Sequence, residues 1–358
     1  MSFNLEKLFT DVFAPRDEVV TVMYDLPSAN QADHKAWAER RGMAAEWHDG
    51  IVSFSRKYTM QVNPLLTYTA TGTHNADLPE YGESKGKKVN LQDTLMRSTI
   101  VIAMPQYSPS APLLLMTKKN PNLRVASMPL VTKAMENTGL SADYNKIASE
   151  CETLAELFEH AIGIEVLFST GHFCHFDISD NKTPLQDNGM LHKFSKDPGP
   201  RLRNLPSGEV CVAPVEKSTS KTAGMIPVWF KNELMVLKAE RNKIVDVEGK
   251  SPFANRCREK FRAEPAMANI AEVAIGCNDK AVVTGNVLED EKAGFHWAYG
   301  RSDHLEGCVG VEDFSSPDKV IHQDIVYAKG SPIEVEKLDF INPDGKRVTA
   351  IRSGIRVV

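Results

Sequence analysis

Three short apolar runs constrain the fold of this sequence more than any other feature. They span residues 19–24 (VVTVMY), 99–104 (TIVIAM) and 123–127 (LRVAS). The first is rich in β-branched residues and leads into Asp-Leu-Pro, and the second is followed by proline, as is typical of buried strands. Helical patterns at residues 31–41 and 111–119 follow these two runs. Strands that alternate with helices predict a mostly parallel sheet of the doubly wound α/β type.

The length of the chain, 358 residues, exceeds what one ordinary hydrophobic core supports and predicts two domains. We predict an α/β scaffold domain over residues 1–180 and a strand-rich α+β domain, which carries the metal and the catalysis, over residues 181–358. The polar stretch 179–207, which contains glycine and proline, is the expected crossing between them. No Gly-x-Gly-x-x-Gly follows the predicted strands, so no dinucleotide site is predicted.

Composition excludes several classes of partner. The net charge is −5 and the basic residues are scattered, which argues against nucleic-acid and membrane-surface partners. No run approaches the ~20 apolar residues that cross a bilayer. The six cysteines form no Cys-x-x-Cys pair, and the first residues lack the apolar stretch of a signal peptide. A reduced, cytoplasmic protein is therefore expected.

A histidine and an aspartate share one predicted strand in the C-terminal half. Residues 320–327 (VIHQDIVY) are apolar at both ends, so His322 and Asp324 project from the same face, ~6–7 Å apart along the strand. Both side chains need a polar partner because burying them unpaired is costly. A metal ion would satisfy both, and so would a salt bridge.

Three further side chains lie in similar apolar contexts. His296 is part of FHWAYG, Glu272 opens EVAIG and Glu209 opens EVCVA. Each has a plain alternative, since the histidine could be a core residue and the glutamates could lie at solvated strand ends. Together with His322 and Asp324 they form an N/O donor set that suits Zn, Mn, Co or Fe(II). Five protein ligands exceed the need of one catalytic zinc and fit two ions that share a carboxylate.

Four segments of the chain resemble the aminopeptidase T/aminopeptidase S group of metallopeptidases (peptidase family M29). In the order of that family they are residues 204–214 (NLPSGEVCVAP), 272–278 (EVAIGCN), 287–300 (VLEDEKAGFHWAYG) and 322–326 (HQDIV). The resemblance implies that five positions are the metal ligands: Glu209, Glu272, His296, His322 and Asp324. It also implies two divalent ions (Zn, Co or Mn), hydrolysis of an N-terminal peptide or related amide bond, a small peptide or amide substrate, and a homodimer.

Within this resemblance, Glu272 is the expected bridging carboxylate, and Glu209 is either a ligand or the general base. The sequence departs from the family in having a short spacer after Glu291-Lys292. A tyrosine that the family carries beyond the histidine at position 296 is also missing, and Asp303 or His304 lies near its place.

A second resemblance involves only the final His-x-Asp segment. It is similar to that of a mononuclear iron dioxygenase that opens dihydroxypyridine rings, an enzyme type that uses Fe(II) held by two histidines and one carboxylate. The larger number of candidate ligands favours the two-ion hydrolase.

Overall fold

The computed structural model describes residues 3–180, 183–193 and 201–358, and it contains two compact units. Unit 1 comprises Met1–Ala148, Asp187–Ser207 and Asn278–Glu289, and unit 2 comprises Ser149–Gln186, Gly208–Cys277 and Asp290–Val358. The units therefore interleave along the chain, whereas the sequence predicts one division at 180/181. Residues 149–186 group with unit 2 because two of their strands pair within its larger sheet. The domain division at 180/181 stays a prediction about which parts fold independently.

The regular elements cover most of the described chain. The α-helices are α1 (Leu5–Phe13), α2 (Lys35–Phe54), α3 (Leu91–Met96), α4 (Ser110–Lys119), α5 (Tyr144–His160), α6 (Pro252–Ala263) and α7 (Val287–Asp290). Short 3-10 helices lie at Ser55–Tyr58, Lys133–Asn137, Gly139–Ser141, Asp303–Leu305, Val311–Asp313 and Pro317–Lys319. The strands are β1 (Val19–Leu26), β2 (Gln61–Val62), β3 (Leu66–Thr69), β4 (Tyr81–Ser84), β5 (Lys87–Asn90), β6 (Ile100–Ala103), β7 (Arg124–Ser127), β8 (Gly163–Phe168), β9 (Phe173–Asp177), β10 (Leu185–Asp187), β11 (Leu202–Asn204), β12 (Glu209–Val212), β13 (Ala223–Phe230), β14 (Glu233–Glu240), β15 (Lys243–Glu248), β16 (Ile270–Gly276), β17 (Phe295–Gly300), β18 (His322–Tyr327), β19 (Val335–Ile341), β20 (Arg347–Arg352) and β21 (Ile355–Arg356).

Unit 1 is built on an eight-stranded, mixed sheet. Its main path runs β11-β7-β6-β1-β3-β4-β5, and β2 pairs with β1. The three predicted strands are β1, β6 and β7, which lie side by side and pair in parallel, so the α/β fold class is confirmed. Every residue of β6 is buried, as its continuous apolar sequence requires.

Helix α2 extends further than the pattern at residues 31–41 predicts. It continues through Gly42 to Phe54, because the buried stripe that starts at Trp37 goes on through Met43, Trp47 and Ile51. Gly42 lies inside the helix with no neighbouring atom near its open side, so it weakens helix propensity without breaking the packing.

Unit 1 contains a buried ion pair. Arg124 Nη2 lies 2.6 Å from Glu18 Oε2, and both side chains are almost fully buried. Arg124 Nη1 also donates to the backbone carbonyls of Phe13 and Leu191, each at 2.9 Å. Each charged group therefore faces a partner of opposite charge or polarity, which is the usual condition for a buried ion pair.

Unit 2 consists of two sheets. The larger has the order β15-β14-β13-β9-β8-β19-β20-β21, and the smaller has the order β10-β12-β16-β17-β18. Pairing from β12 to β18 is antiparallel throughout. Aromatic rings join the two sheets, with centroids 4.8 Å apart for Phe168 and Tyr327 and 6.1 Å apart for Phe176 and Phe295. The strand-rich character predicted for the C-terminal part is confirmed.

Among the described residues, no helix combines the length and the apolar composition that a bilayer crossing requires.

Candidate metal centre

The five predicted ligands lie on one face of the smaller sheet of unit 2. Residues directly opposite each other in an antiparallel pair share a face, as do residues two apart on one strand. The register partners that fix the face are Glu209↔Gly276, Ala274↔His296, Glu272↔Ala298, Ala298↔Asp324 and Gly300↔His322. The structure therefore brings together all five side chains that the sequence analysis selected.

The opposite face of the same sheet is a hydrophobic core. In β17, Phe295 and Trp297 alternate with His296 and Ala298, so the two aromatic rings and the candidate ligand His296 point to opposite faces of the sheet. Trp297 Nε1 donates to the Tyr327 hydroxyl at 3.1 Å, and that hydroxyl donates to the carbonyl of Pro227 at 2.8 Å. Packing on this face fixes the strands and hence the positions of the ligands on the other face.

Each histidine has one ring nitrogen tied to the backbone and the other aimed at carboxylates. His322 Nδ1 lies 2.7 Å from the Arg301 carbonyl, and its Nε2 lies 2.9 Å from Glu272 Oε2 and 3.5 Å from Asp324 Oδ1. A carbonyl can only accept, so Nδ1 carries the hydrogen. The lone pair of Nε2 then faces carboxylate oxygens, which are acceptors too, unless a proton or a metal ion lies between them.

His296 repeats this arrangement. Its Nδ1 lies 3.3 Å from the Gly294 carbonyl, and its Nε2 lies 3.3 Å from Glu209 Oε2 and 3.7 Å from Glu272 Oε1. The two oxygens of Glu272 thus face different histidines. A backbone carbonyl that fixes the tautomer of a histidine is the common outer-shell device at metal sites.

The site has an excess of buried acceptors. Among the described residues, Glu209 Oε2 and His296 Nε2 are buried without a hydrogen-bond partner. Burial lowers the pKa of His296, but Glu209 and Glu272 outweigh it and hold that pKa well above its usual value. The ligand atoms of Glu272, His322 and Asp324 lie within 4.8 Å of one another. This carboxylate and imidazole set is one that divalent ions accept, so these residues form a possible metal-binding group.

A buried lysine adjoins the five side chains. Lys292 Nζ lies 2.5 Å from Glu209 Oε1 and 2.7 Å from Glu291 Oε1, and the lysine side chain has no solvent exposure. Burial and the nearby Glu209 carboxylate raise the pKa of Glu291 to about 8. In the sequence, Glu291-Lys292 stands out only for the short spacer that follows it. The available signal was a lysine three residues before an apolar, aromatic strand.

Comparison with known proteins gives a relationship at the level of the fold. No protein-family model and no curated protein sequence matches the chain. Similar solved structures include a 2,5-dihydroxypyridine dioxygenase from Pseudomonas putida KT2440, with 14% identity, coverage of 99% of this chain and 96% of that chain, and a TM-score of 0.63. They also include wild-type AmpT from Thermus thermophilus, with 14% identity, coverage of 99% and 98%, and a TM-score of 0.56. The chain shares its fold with both proteins.

Asp303 and His304 lie near the place of the tyrosine that the resembling family carries and this chain lacks. The loop after β17 brings one of these two residues to the site. Arg301 holds Asp303 through contacts of 2.5 and 3.0 Å, so that carboxylate is engaged elsewhere. The His304 ring stands edge-on to His322, with centroids 4.7 Å apart. His304 is therefore the residue of this loop that lies beside the candidate ligands.

A glutamate outside the ligand set fastens this loop. Glu216 Oε1 accepts a hydrogen bond from Ser302 Oγ at 2.6 Å, and its Oε2 accepts from the backbone N–H of Cys308. Ser302 is fully buried and directly follows Arg301, whose carbonyl fixes His322. Glu216 thus helps to set the orientation of His322 without contacting it, a connection that sequence spacing does not reveal.

Proposed function

We propose that the protein is a metal-dependent, aminopeptidase-like hydrolase related to aminopeptidases T and S. Its substrate would be an N-terminal peptide bond or a related amide bond. The observation that carries the proposal is the position of Glu272, whose two oxygens face His322 at 2.9 Å and His296 at 3.7 Å. A carboxylate between two histidines on one rigid sheet is what two ions sharing a bridging ligand require.

The five side chains divide between two ions in this proposal. Glu272, His322 and Asp324 would hold one ion, whereas Glu209 and His296 would hold the second and share Glu272. Two such ions, Zn, Co or Mn, lower the pKa of a bound water and polarise the carbonyl of the scissile bond.

The protein's own residues would orient the reactants. Glu209 presents Oε2 to His296, since its other oxygen contacts Lys292, and we assign it as a ligand rather than as the general base. The Arg301 carbonyl holds the Nδ1–H of His322, which leaves Nε2 facing Glu272 and Asp324, the residues that would hold an ion with it. His304, about half exposed beside His322, would contact the substrate.

Metal content and turnover test this proposal together. Protein purified without added metal should contain two equivalents of zinc, cobalt or manganese by mass spectrometry and should release p-nitroaniline from aminoacyl-p-nitroanilides. His322→Ala should lose metal and activity but remain folded, because the ligand lies at a polar site rather than in the core. His175→Ala is a matched control, since His175 lies on the larger sheet, 3.9 Å from Glu165. A fully metallated, active His322→Ala protein would end the proposal.

A second candidate function is oxygen-dependent ring cleavage at one Fe(II). It is favoured by the compact group of Glu272, His322 and Asp324, and by the contact of Glu209 with Lys292 instead of with that group. Two histidines and one carboxylate suit Fe(II) oxygenases, and His296, His322 and Glu272 would supply that set, since the two oxygens of Glu272 face the two rings. One equivalent of iron, with oxygen uptake on adding 2,5-dihydroxypyridine and no peptide hydrolysis, would select this function.

A further inference from the structure

The environment of Lys292 gives this residue a defined geometry. Its Nζ lies between Glu209 Oε1 and Glu291 Oε1, at 2.5 and 2.7 Å, and no part of the side chain reaches solvent. Lysine is rarely buried without a charged partner, and Glu209 and Glu291 accept hydrogen bonds from it here. Among the candidate ligands, it contacts Glu209.

A glycine allows the backbone at Lys292 to lie close to the register partner of Glu209. Gly276 is the register partner of Glu209 in the β12–β16 pair. A Cβ on Gly276 would lie 2.4 Å from the backbone carbonyl carbon of Lys292 and 2.5 Å from the backbone carbonyl oxygen of Glu291. Only a residue without a side chain therefore fits at this position. The Gly276 N–H also donates to the Gly294 carbonyl at 2.8 Å, which ties the segment down on its other side.

We propose that Lys292 is the positioning residue for Glu209. By holding Oε1, it fixes the rotation of the carboxylate and leaves Oε2 directed at His296 Nε2, 3.3 Å away. A glutamate has three rotatable side-chain bonds, and restraining them beforehand removes an entropic cost of metal binding. The inference rests on the proposed function only in taking Glu209 as a ligand.

The contact of Lys292 with Glu209 lies in one half of the site. The Glu272–His322–Asp324 group is oriented instead by the Arg301 carbonyl and by contacts within the group. Loss of the lysine should therefore weaken the ion at Glu209 and His296 and spare the ion at the other group.

The test compares metal binding by wild type, Lys292→Met, Lys292→Arg, Glu209→Gln and the double variant Glu209→Gln/Lys292→Met. Calorimetric titration of the metal-free proteins with Zn²⁺ and with Mn²⁺ gives the stoichiometry and the affinities. Lys292→Met should reproduce the pattern of Glu209→Gln, with affinity reduced ~10–100-fold for the ion that Glu209 binds, as for loss of an outer-shell partner. Lys292→Arg should retain more affinity than Lys292→Met. The double variant should be no weaker than Glu209→Gln alone, because both changes act through one carboxylate.

Two further variants keep this test decisive if Lys292→Met folds poorly. Gly276→Ala leaves the lysine in the chain but displaces its backbone, and it should show the same selective loss. Lys337→Met removes a lysine that pairs with Asp339 at 2.6 Å on the larger sheet, and it should bind metal like wild type. Wild-type metal binding by both Lys292→Met and Gly276→Ala would overturn the inference. Binding of one additional equivalent of metal by Lys292→Met would also overturn it, because the lysine ammonium would then occupy the position of an ion. Unchanged metal binding by Glu209→Gln would overturn it as well.

The readout involves no turnover, so it separates this inference from the proposed function. A protein without peptidase activity would refute the hydrolase and leave the Lys292 comparison intact. An active two-ion peptidase in which Lys292→Met binds metal normally would refute only the role of Lys292.

Discussion

The two units of this protein bury charge in different ways. In unit 1, Glu18 faces Arg124 at 2.6 Å, and the carboxylate of Asp25 accepts from the Trp37 indole at 2.8 Å and from the backbone N–H of Gln106 at 2.7 Å. In unit 2, three carboxylates face the Nε2 atoms of two histidines, and each of these contacts needs a proton or a metal ion between the nitrogen and the oxygens. The difference teaches that a buried charge alone does not identify a functional site. A cluster of several carboxylates and imidazoles on one face is the better indicator, because Lys292 supplies only one cation to it and protons on the histidines or a metal ion must supply the rest.

The sharpest test of this contrast pairs Glu272→Gln with Glu18→Gln. Glu272→Gln removes the carboxylate that faces both histidines, so metal affinity should fall by more than the ~10–100-fold typical of losing an outer-shell partner, and activity should fall with it. Gln keeps the shape, so the metal-free protein should remain folded, although it loses the attraction between Glu272 and the two histidines. Metal analysis and urea unfolding measure the two effects.

The control should show the opposite pattern. Glu18→Gln should lower the free energy of unfolding and leave the bound metal unchanged, since Glu18 compensates Arg124 and no metal. Equal metal loss in both variants would abolish the distinction between the two units.

Removing the cation from unit 1 should give the largest loss of stability. Arg124→Met leaves Glu18 buried without its partner and removes the bonds to the carbonyls of Phe13 and Leu191. Breaking such a pair from one side costs about 3–5 kcal/mol of unfolding free energy, which urea titration would measure. Metal content of the folded fraction should match wild type. A change below the error of the titration would show that the pair is not structural.

A smaller effect is expected from Glu216→Gln. The amide would replace one of the two accepting oxygens of Glu216 by a donor, so it could no longer accept from both Ser302 and Cys308, and the loop that carries the Arg301 carbonyl should loosen. Metal affinity at His322 should fall ~10–100-fold, which competition with a chelator would detect. Ser302→Ala is the companion variant and should act in the same direction. Unaltered affinity in both would mean that the loop holds His322 by other contacts.

The smallest effect concerns pH. Burial raises the pKa of Glu18, but the Thr99 hydroxyl and Arg124 outweigh it, so the net shift is below the ordinary value of 4.5. The stabilisation from Glu18 is therefore complete above about pH 4.5 and is lost as the pH falls through the lower, folded-state pKa. The difference in unfolding free energy between wild type and Glu18→Gln should shrink below that pH. A difference that stays constant down to acid denaturation would contradict the assignment.

The sequence predicts those parts of the structure that depend on local pattern. Strands β1, β6 and β7 are apolar runs, and a run of four to eight such residues between turn signals indicates a buried strand whatever surrounds it. The shared face of His322 and Asp324 follows from strand geometry alone. The convergence of these two with Glu209, Glu272 and His296 required the strand order, which the family resemblance suggested and local pattern could not.

Other parts depend on contacts between distant residues. Lys292 belongs to the charged run LEDEK, which by itself resembles a solvated turn, and its burial depends on Gly276 and Glu209. Glu216 acts through Ser302, many residues later in the chain. The contacts of Lys292 and of Glu216 do not follow from any periodic pattern, so neither role could be predicted from the sequence.

The aromatic face of the smaller sheet has an optical consequence. Trp297 is fully buried, adjoins His296 in the chain and lies opposite Ile325, the neighbour of Asp324. Its indole emission should be blue-shifted, and a paramagnetic ion such as Co²⁺ on the other side of the strand would quench it at short range. The chain has four tryptophans, so the difference spectrum between wild type and Trp297→Phe isolates this one fluorophore. Stopped-flow mixing can then time the arrival of metal before any substrate is known.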